Sequence, residues 1–172
     1  MSRPRVLGID PGLATVGYAV LELTTTNSYQ MLEAGVISTP AGQENHLRLK
    51  HIYDESCELV QEFKPKTLAI EKLFFKKNVT TGISVAQARG VVLLSACELE
   101  VHEYTPLEIK RRVAGSGKAQ KIQVQAMVQR LLGLKQIPKP DDAADAVAVA
   151  LCYFLEQRTP LAQIRTLAKD AK

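Results

Sequence analysis

Residues 6–23 read VLGIDPGLATVGYAVLEL, and this stretch decides the first half of the fold. Its apolar run ends at Asp10-Pro11-Gly12, where Pro suits the second and Gly the third position of a type II turn. Thr15 to Leu23 is then rich in β-branched and aromatic residues, which favour strands. We therefore predict two strands joined by a tight turn, with Asp10 at the end of the first strand.

The remaining chain alternates between strand and helix patterns. Further strands are predicted over Tyr29–Ser38, Thr67–Glu71 and Glu100–Tyr104. Apolar residues at helical spacing predict helices over Gln43–Phe63, Thr80–Glu98, Pro106–Arg112, Lys118–Leu132 and Asp142–Gln157. This order predicts an α/β fold with a five-stranded mixed sheet, in which a three-stranded antiparallel meander is followed by two parallel strands and helices flank the sheet. Right-handed crossovers make the Thr67–Glu71 strand parallel to the first strand, and if these two strands are neighbours, Asp10 and Glu71 lie side by side at one edge of that sheet.

The length of 172 residues, of which 46% are hydrophobic, fits one domain with a single core. We expect residues 1–157 to form this domain and residues 158–172 to form a basic C-terminal tail. The chain has no apolar run near 18 residues and no signal-like start, and its three cysteines are isolated. These features predict a soluble cytoplasmic protein that does not enter a membrane.

The net charge of +4 is distributed unevenly along the chain. Residues 109–140 carry eight basic side chains and no acidic one, whereas the rest of the chain has 14 basic and 18 acidic residues. A second acid-free stretch covers residues 72–97. Such stretches are typical of a surface that binds a polyanion, although a solvated helix face is the alternative. The basic side chains that we assign to nucleic-acid binding on this ground are Lys76, Lys77, Arg89, Lys110, Lys118 and Lys121.

Four carboxylates fall where strands end or a helix begins. Asp10 and Glu71 follow apolar strand cores, and Asp142 and Asp145 are three residues apart and therefore share a helix face. Each acid alone is also compatible with turn or helix-terminus chemistry, and Asp141 is the expected N-cap of the last helix. Together, hard oxygen ligands beside basic stretches indicate a site for Mg²⁺ or Mn²⁺. Two such ions can activate water and stabilise the leaving oxygen in phosphodiester hydrolysis.

Four motifs in register carry a family resemblance. They are LGIDPGLATVGYAV at 7–20, LAIEKLFFKKN at 68–78, QARGV at 87–91 and DDAADAVAVA at 141–150. Their order and spacing resemble the RuvC family of Holliday-junction resolvases. The resemblance implies an RNase H-like fold and an endonuclease that resolves four-way junctions by paired symmetric nicks in DNA recombination and repair.

The resemblance also implies roles for individual residues. It makes Asp10, Glu71, Asp142 and Asp145 the catalytic acids, which bind Mg²⁺, or Mn²⁺ as a substitute, as two ions per subunit. Lys110 and Lys121 match basic residues that would meet the scissile phosphate, and Phe74 matches an aromatic residue that stacks on bases at the opened junction. The implied partners are four-way junction DNA, a second copy of the chain that packs on the helix predicted from Thr80, and the RuvA–RuvB branch-migration complex.

Three other functions remain open from the sequence. The turn at residues 10–12 also resembles the phosphate loop of actin-like ATPases and sugar kinases, but those enzymes need a second, duplicated domain that 172 residues cannot supply. A non-catalytic junction-binding module would not require four acids at a sheet edge. Another RNase H-like nuclease, acting on RNA or on flaps, would use the same acids.

Overall fold

The computed structural model describes residues 3–24, 28–73 and 79–158, with the side chains of residues 79–81 left out. The strands in these residues are β1 (Arg5–Asp10), β2 (Thr15–Leu23), β3 (Tyr29–Ser38), β4 (Thr67–Glu71) and β5 (Glu100–Tyr104). The helices are α1 (Asn45–Phe63), α2 (Val79–Ser95), α3 (Pro106–Ala114), α4 (Lys121–Leu132) and α5 (Asp141–Gln157).

The five strands form one sheet in the order β3-β2-β1-β4-β5. β2 is antiparallel to both β1 and β3, whereas β4 is parallel to both β1 and β5. The predicted mixed sheet, with its antiparallel meander and its two parallel strands, is therefore confirmed.

The predicted helices all occur, and the largest differences lie at their ends. α4 begins at Lys121, not at Lys118, because the Gln120 N–H donates to Gln123 Oε1 at 2.8 Å and so caps the helix there. Lys118 consequently lies in the turn before α4. α3 begins as predicted, since Thr105 Oγ1 accepts from the Glu108 N–H at 3.2 Å.

Helices cover both faces of the sheet. Successive strand side chains point to opposite faces, so Leu7 and Ile9 of β1 pack with α1 and α2, whereas Val6 packs with α3, α4 and α5. The core thus consists of two apolar layers, one on each side of the sheet. α5 is the most deeply buried helix, because it crosses β1 and β2 with Ala, Val and Leu side chains that are almost fully enclosed.

Two glycines let α5 approach the sheet closely. A Cβ on Gly8 would overlap the Ala146 carbonyl oxygen and lie 2.7 Å from the Ala150 Cβ. A Cβ on Gly17 would overlap the Asp142 carbonyl oxygen. The lack of side chains at these two strand positions therefore sets the distance between the first turns of α5 and the end of β1.

No helix within the described ranges is long and apolar enough to cross a membrane. The predicted basic tail falls almost entirely on residues 159–172, which lie outside the described residues. The division into residues 1–157 and 158–172 therefore stays a prediction.

Candidate active site

The parallel pairing of β1 and β4 brings Asp10 and Glu71 together. Ile9 is the register partner of Ile70, and each acid is the next residue along its strand. By strand alternation, Asp10 shares the face of Val6, and Glu71 shares the face of Ala69. Both Val6 and Ala69 pack on the α5 side of the sheet. The two carboxylates are therefore neighbours at one end of the sheet, on the face that α5 covers.

The other two acids lie on the first turns of α5, beside the same end of the sheet. Gly17 pairs with Asp10 across the sheet and also supports the Asp142 backbone. The expectation that Asp141 caps α5 is wrong, because Pro140 occupies the N-cap position and Asp141 is the first helical residue. The helix start has no side-chain cap hydrogen bond, and the Asp141 carboxylate instead contacts Lys121 and Lys139.

The charges of neighbouring carboxylates affect the pKa values of Asp10 and Glu71. Burial, followed by the charges of Glu71, Asp145 and Asp142, raises the pKa of Asp10 to about 7. Burial, followed by the charge of Asp145, raises the pKa of Glu71 to about 6, while Lys110 acts in the opposite direction. Burial and like charges both disfavour the ionised carboxylates. A positive charge beside them would therefore stabilise the ionised forms.

Two lysines supply part of that charge. Lys121 Nζ lies 2.8 Å from Asp145 Oδ2 and 3.4 Å from Asp141 Oδ2. Burial opposes protonation of Lys121, but the hydrogen bonds and charges of Asp145 and Asp141 outweigh it, so the net pKa of Lys121 is raised. Lys110 and Lys121 line a cavity of about 220 Å³ together with Glu71 and Asp145. The lysines therefore stand on the α3 and α4 side of the acids.

The donor set fits a hard divalent cation by its chemistry. It offers carboxylate oxygens only, and burial, followed by the charges of neighbouring carboxylates, raises the pKa values of Asp10 and Glu71. Among the described residues, no three His, Cys, Asp or Glu side chains lie close enough to hold a metal ion, and the Lys121 ammonium stands at Asp145 instead. The acids are thus assembled on one face, but they are not arranged as a closed coordination shell.

The other predicted DNA contacts lie in different settings. Arg89 is 15% exposed, pairs with Glu103 and donates to the Glu71 carbonyl oxygen at 3.4 Å, so its contacts are inside the protein. Lys118 borders a different cavity, which lies beside the first turn of α4 and has none of the four acids in its lining. Phe74, Lys76 and Lys77 lie outside the described residues. DNA binding by these five residues stays a prediction.

Sequence reasoning missed two features of the site. One is the pairing of Asp141 with Lys121 and with Lys139, whose Nζ lies 3.3 Å from Asp141 Oδ1. The other is Arg48, which lines a cavity of about 500 Å³ with Asp142 and the β1–β2 turn. Arg48 lies in a helix of mixed charge rather than in an acid-free stretch, so charge patterning did not single it out.

Comparisons with known proteins agree with this geometry. Residues 6–153 match the family model described as crossover junction endodeoxyribonuclease RuvC. A protein of that name from Halothermothrix orenii is 51% identical over 150 residues, which cover 86% of this chain and 90% of the relative. Another from Caldicellulosiruptor saccharolyticus is 45% identical over 161 residues, covering 92% and 97% respectively.

Solved structures give the same result. Thermus thermophilus RuvC superposes with a TM-score of 0.83 at 33% identity, covering 90% of this chain and 95% of that one. The same protein in complex with a Holliday junction substrate gives a TM-score of 0.82 at 31% identity, with the same coverage. The resemblance drawn from the four sequence motifs is confirmed, and the chain belongs to the RuvC family of crossover junction endodeoxyribonucleases.

Proposed function

We propose that this protein resolves four-way DNA junctions, cutting two strands symmetrically by phosphodiester hydrolysis during recombination and repair. The observation that carries the proposal is the convergence of Asp10, Glu71, Asp142 and Asp145 at one end of the sheet, with two lysines beside them, in a chain of the RuvC family. The Thermus thermophilus relative has been solved in complex with a Holliday junction substrate, which supports the choice of DNA.

In this proposal the protein's own groups have distinct roles. Lys110 and Lys121 border the cavity beside Glu71 and Asp145, where their ammonium groups would bind and orient the scissile phosphate. A fixed cation next to a phosphoryl group favours the charge that develops during hydrolysis. Asp10 and Glu71, on neighbouring strands of a rigid sheet, keep their carboxylates at a constant separation.

The family is metal-dependent, and here Asp10, Glu71, Asp142 and Asp145 would hold the cations. When bound, Mg²⁺, or Mn²⁺ as a substitute, supplies positive charge and an activated water for hydrolysis. We infer two ions per subunit, because one ion can activate the water while a second stabilises the leaving oxygen in phosphodiester hydrolysis. The raised pKa values of Asp10 and Glu71 support this assignment, since a cation would relieve the same repulsion.

A second copy of the chain fits the symmetry of the substrate. Two symmetric cuts in a junction with near two-fold symmetry require two sites. An exposed stripe of α2 supports a dimer through this helix: Ile83 is 53% and Leu94 62% exposed, and they are eleven residues, or about three helical turns, apart. Gly90 lies on the same stripe, with no atom within 4 Å of the position of a Cβ, so a partner could approach closely.

The remaining contacts and partners belong to the same proposal. Phe74 would stack on bases at the junction centre, since base–aromatic stacking is tolerant of sequence. Lys76, Lys77, Arg89 and Lys118 are proposed to bind backbone phosphates. The RuvA–RuvB branch-migration complex would deliver the junction, and the protein would act in the cytoplasm, with the chromosome.

A single experiment separates this function from its alternatives. Purified protein with Mg²⁺ is incubated with a synthetic four-way junction, a duplex, a flap and an RNA–DNA hybrid of matched sequence. We expect paired nicks in the junction and little cutting of the other three. Preferential cutting of the hybrid or flap would instead assign the site to another nuclease of the same fold, and binding without cutting would assign a non-catalytic module.

A further inference from the structure

A second cavity borders Asp142. Its lining includes residues of α1 and α2, which cover one face of the sheet, whereas Lys110 and Lys121 belong to α3 and α4 on the other face. This second cavity has a volume of about 500 Å³ and is formed by the β1–β2 turn, Arg48 of α1, residues 84 and 85 of α2, and Asp142. Asp142 borders this cavity, whereas Glu71 and Asp145 border the cavity that contains Lys110 and Lys121. A strand that lies across the four acids has one cavity on each side of it.

Arg48 is the basic group of this second cavity, and its position is fixed. It is half-buried, and its Nε donates to Thr39 Oγ1 at 2.8 Å. The Thr39 hydroxyl in turn donates to the Leu13 carbonyl oxygen at 2.6 Å, in the β1–β2 turn. This chain of two hydrogen bonds ties the guanidinium to the loop that follows Asp10. Arg48 is thus held in place relative to the acids.

The guanidinium has no carboxylate to neutralise it among the residues that the structure describes. Arg5, Arg89 and Arg112 each pair with a glutamate within 4.0 Å, but Arg48 has no such ion pair. The hydrogen bond to Thr39 uses Nε, and the two terminal nitrogens of a guanidinium form a planar fork that matches phosphate oxygens. A half-buried arginine with this geometry beside a cavity is suited to bind an anion.

We infer that Arg48 and the β1–β2 turn form a binding site for a backbone phosphate of the cut strand, distinct from the scissile phosphate. This inference rests on the proposed function and adds to it a second point at which the strand is held. The scissile phosphate lies at the acids, with Lys110 and Lys121 on one side, and the neighbouring phosphate lies at Arg48 on the other side. Two anchors that flank the reacting group would fix its orientation.

The test replaces single phosphates by neutral methylphosphonates. Junctions that carry one such group, at each of the three positions on either side of the scissile phosphate, are titrated with protein in EDTA, so that no cutting occurs. For the wild-type protein we expect one position at which neutralisation weakens binding by roughly tenfold. For Arg48→Ala we expect a similar loss on the unmodified junction, and no further loss from neutralising that position.

Salt dependence gives an independent reading of the same contact. Loss of one phosphate contact makes the slope of log affinity against log salt shallower by about one unit. We expect this change for Arg48→Ala and Arg48→Gln, whereas Arg48→Lys keeps the slope. Arg48→Gln retains a long polar side chain and removes only the charge. It therefore tests the phosphate contact even if Arg48→Ala folds poorly.

Thr39→Val is the matched control for a purely structural role of Arg48. It removes the hydroxyl that holds Nε but keeps the guanidinium. If Arg48 only fixes the start of α1, Thr39→Val and Arg48→Gln should lower the melting temperature by similar amounts. In that case the loss of junction affinity from Arg48 substitution and the loss from phosphate neutralisation should also be additive at all six positions. That outcome overturns the inference. Wild-type protein that cuts junctions normally would then leave the proposed function in place, whereas failure to bind or cut junctions would contradict that function itself.

Discussion

Lys121 Nζ lies 2.8 Å from Asp145 Oδ2, although the two residues are 24 positions apart and on different helices. The same ammonium lies 3.4 Å from Asp141 Oδ2. Lys121 is thus shared between a predicted metal ligand and an acid outside the catalytic set. When Asp145 takes another cation, Asp141 remains as a partner that holds Lys121 at the edge of the site.

Asp141 is therefore expected to position Lys121. Asp141→Asn should lower the rate of junction cutting at saturating DNA by roughly twofold to fivefold, because an exposed ion pair contributes only weakly. Single-turnover cleavage measures this rate. In a Lys121→Ala background, Asp141→Asn should have no further effect, because the partner is absent.

Lys139→Ala is the matched control for this pair. Lys139 also contacts Asp141, at 3.3 Å, but is highly exposed and has no described contact with the catalytic acids. The control should cut at the wild-type rate, and Asp141→Glu should restore part of the activity. Additive losses in the double variant of Lys121 and Asp141 would show that Asp141 acts through something other than Lys121.

Cutting by the proposed catalytic acids should be separable from DNA binding. We expect each of three substitutions to abolish cutting, because each removes an oxygen ligand: Asp10→Asn, Glu71→Gln and Asp145→Asn. Junction affinity should stay within about threefold, because it comes mainly from Lys and Arg at phosphates. Cleavage assays with Mg²⁺ and gel-shift titrations in EDTA measure the two properties. A folded variant that cuts at the wild-type rate would remove its residue from the site.

The raised pKa of Asp10 has a consequence for stability. The carboxyl has a pKa of about 7 when folded and an ordinary value of 3.8, so the folded state loses stability as Asp10 ionises between these pH values. Asp10→Asn removes the penalty. Without metal, the unfolding free energy of the Asp10→Asn variant should exceed that of the wild-type protein by roughly 1 to 4 kcal/mol at pH 8, and by little at pH 4.

Thermal and urea unfolding in EDTA, from pH 4 to pH 8, measure this difference. The difference should grow as pH rises and level off above pH 7. Glu22→Gln serves as a control of opposite sign, because the hydrogen bond from Arg5 lowers the pKa of the Glu22 carboxylate and outweighs the burial that acts to raise it. That pair stabilises the protein above the ordinary glutamate pKa and is lost as pH falls. A pH-independent effect of Asp10→Asn would contradict the electrostatic cause.

Gly17 should be essential for the position of α5. A Cβ in Gly17→Ala would overlap the Asp142 carbonyl group, and it would lie 3.2 Å from the Asp142 Cβ. We expect a loss of roughly 1 to 3 kcal/mol in unfolding free energy, as for other overpacked sites, and a marked loss of cutting as the first turn of α5 shifts. Gly42→Ala, with no atom within 4 Å of its Cβ, should change neither. Equal stability of the two variants would contradict the close approach.

The proposed dimer predicts the effect of a charge on α2. Leu94→Glu should give a monomer in sedimentation velocity, since it would bury a carboxylate in an apolar interface. Val101→Glu, at an exposed position of edge strand β5, should leave the assembly unchanged. A Leu94→Glu dimer would place the interface elsewhere. Nicks by the monomer should be unpaired, which a cruciform plasmid assay distinguishes from double cuts.

Local pattern determined much of this protein. The alternation of apolar residues, the turn after Asp10 and the helical spacing specified all five strands and the approximate extent of each helix, because these features depend on neighbours along the chain. The handedness of crossovers predicted that β1 and β4 are parallel, and their direct pairing in the structure places Asp10 beside Glu71. The four motifs likewise indicate the family from the sequence alone.

Tertiary structure decided the contacts that join distant segments. The pairing of Lys121 with Asp141 and Asp145 depends on the packing of α4 against α5. The position of Arg48 depends on a hydrogen bond to Thr39 across the start of α1. Neither contact leaves a periodic signal in the sequence, because side-chain geometry between elements is set by packing and not by spacing along the chain.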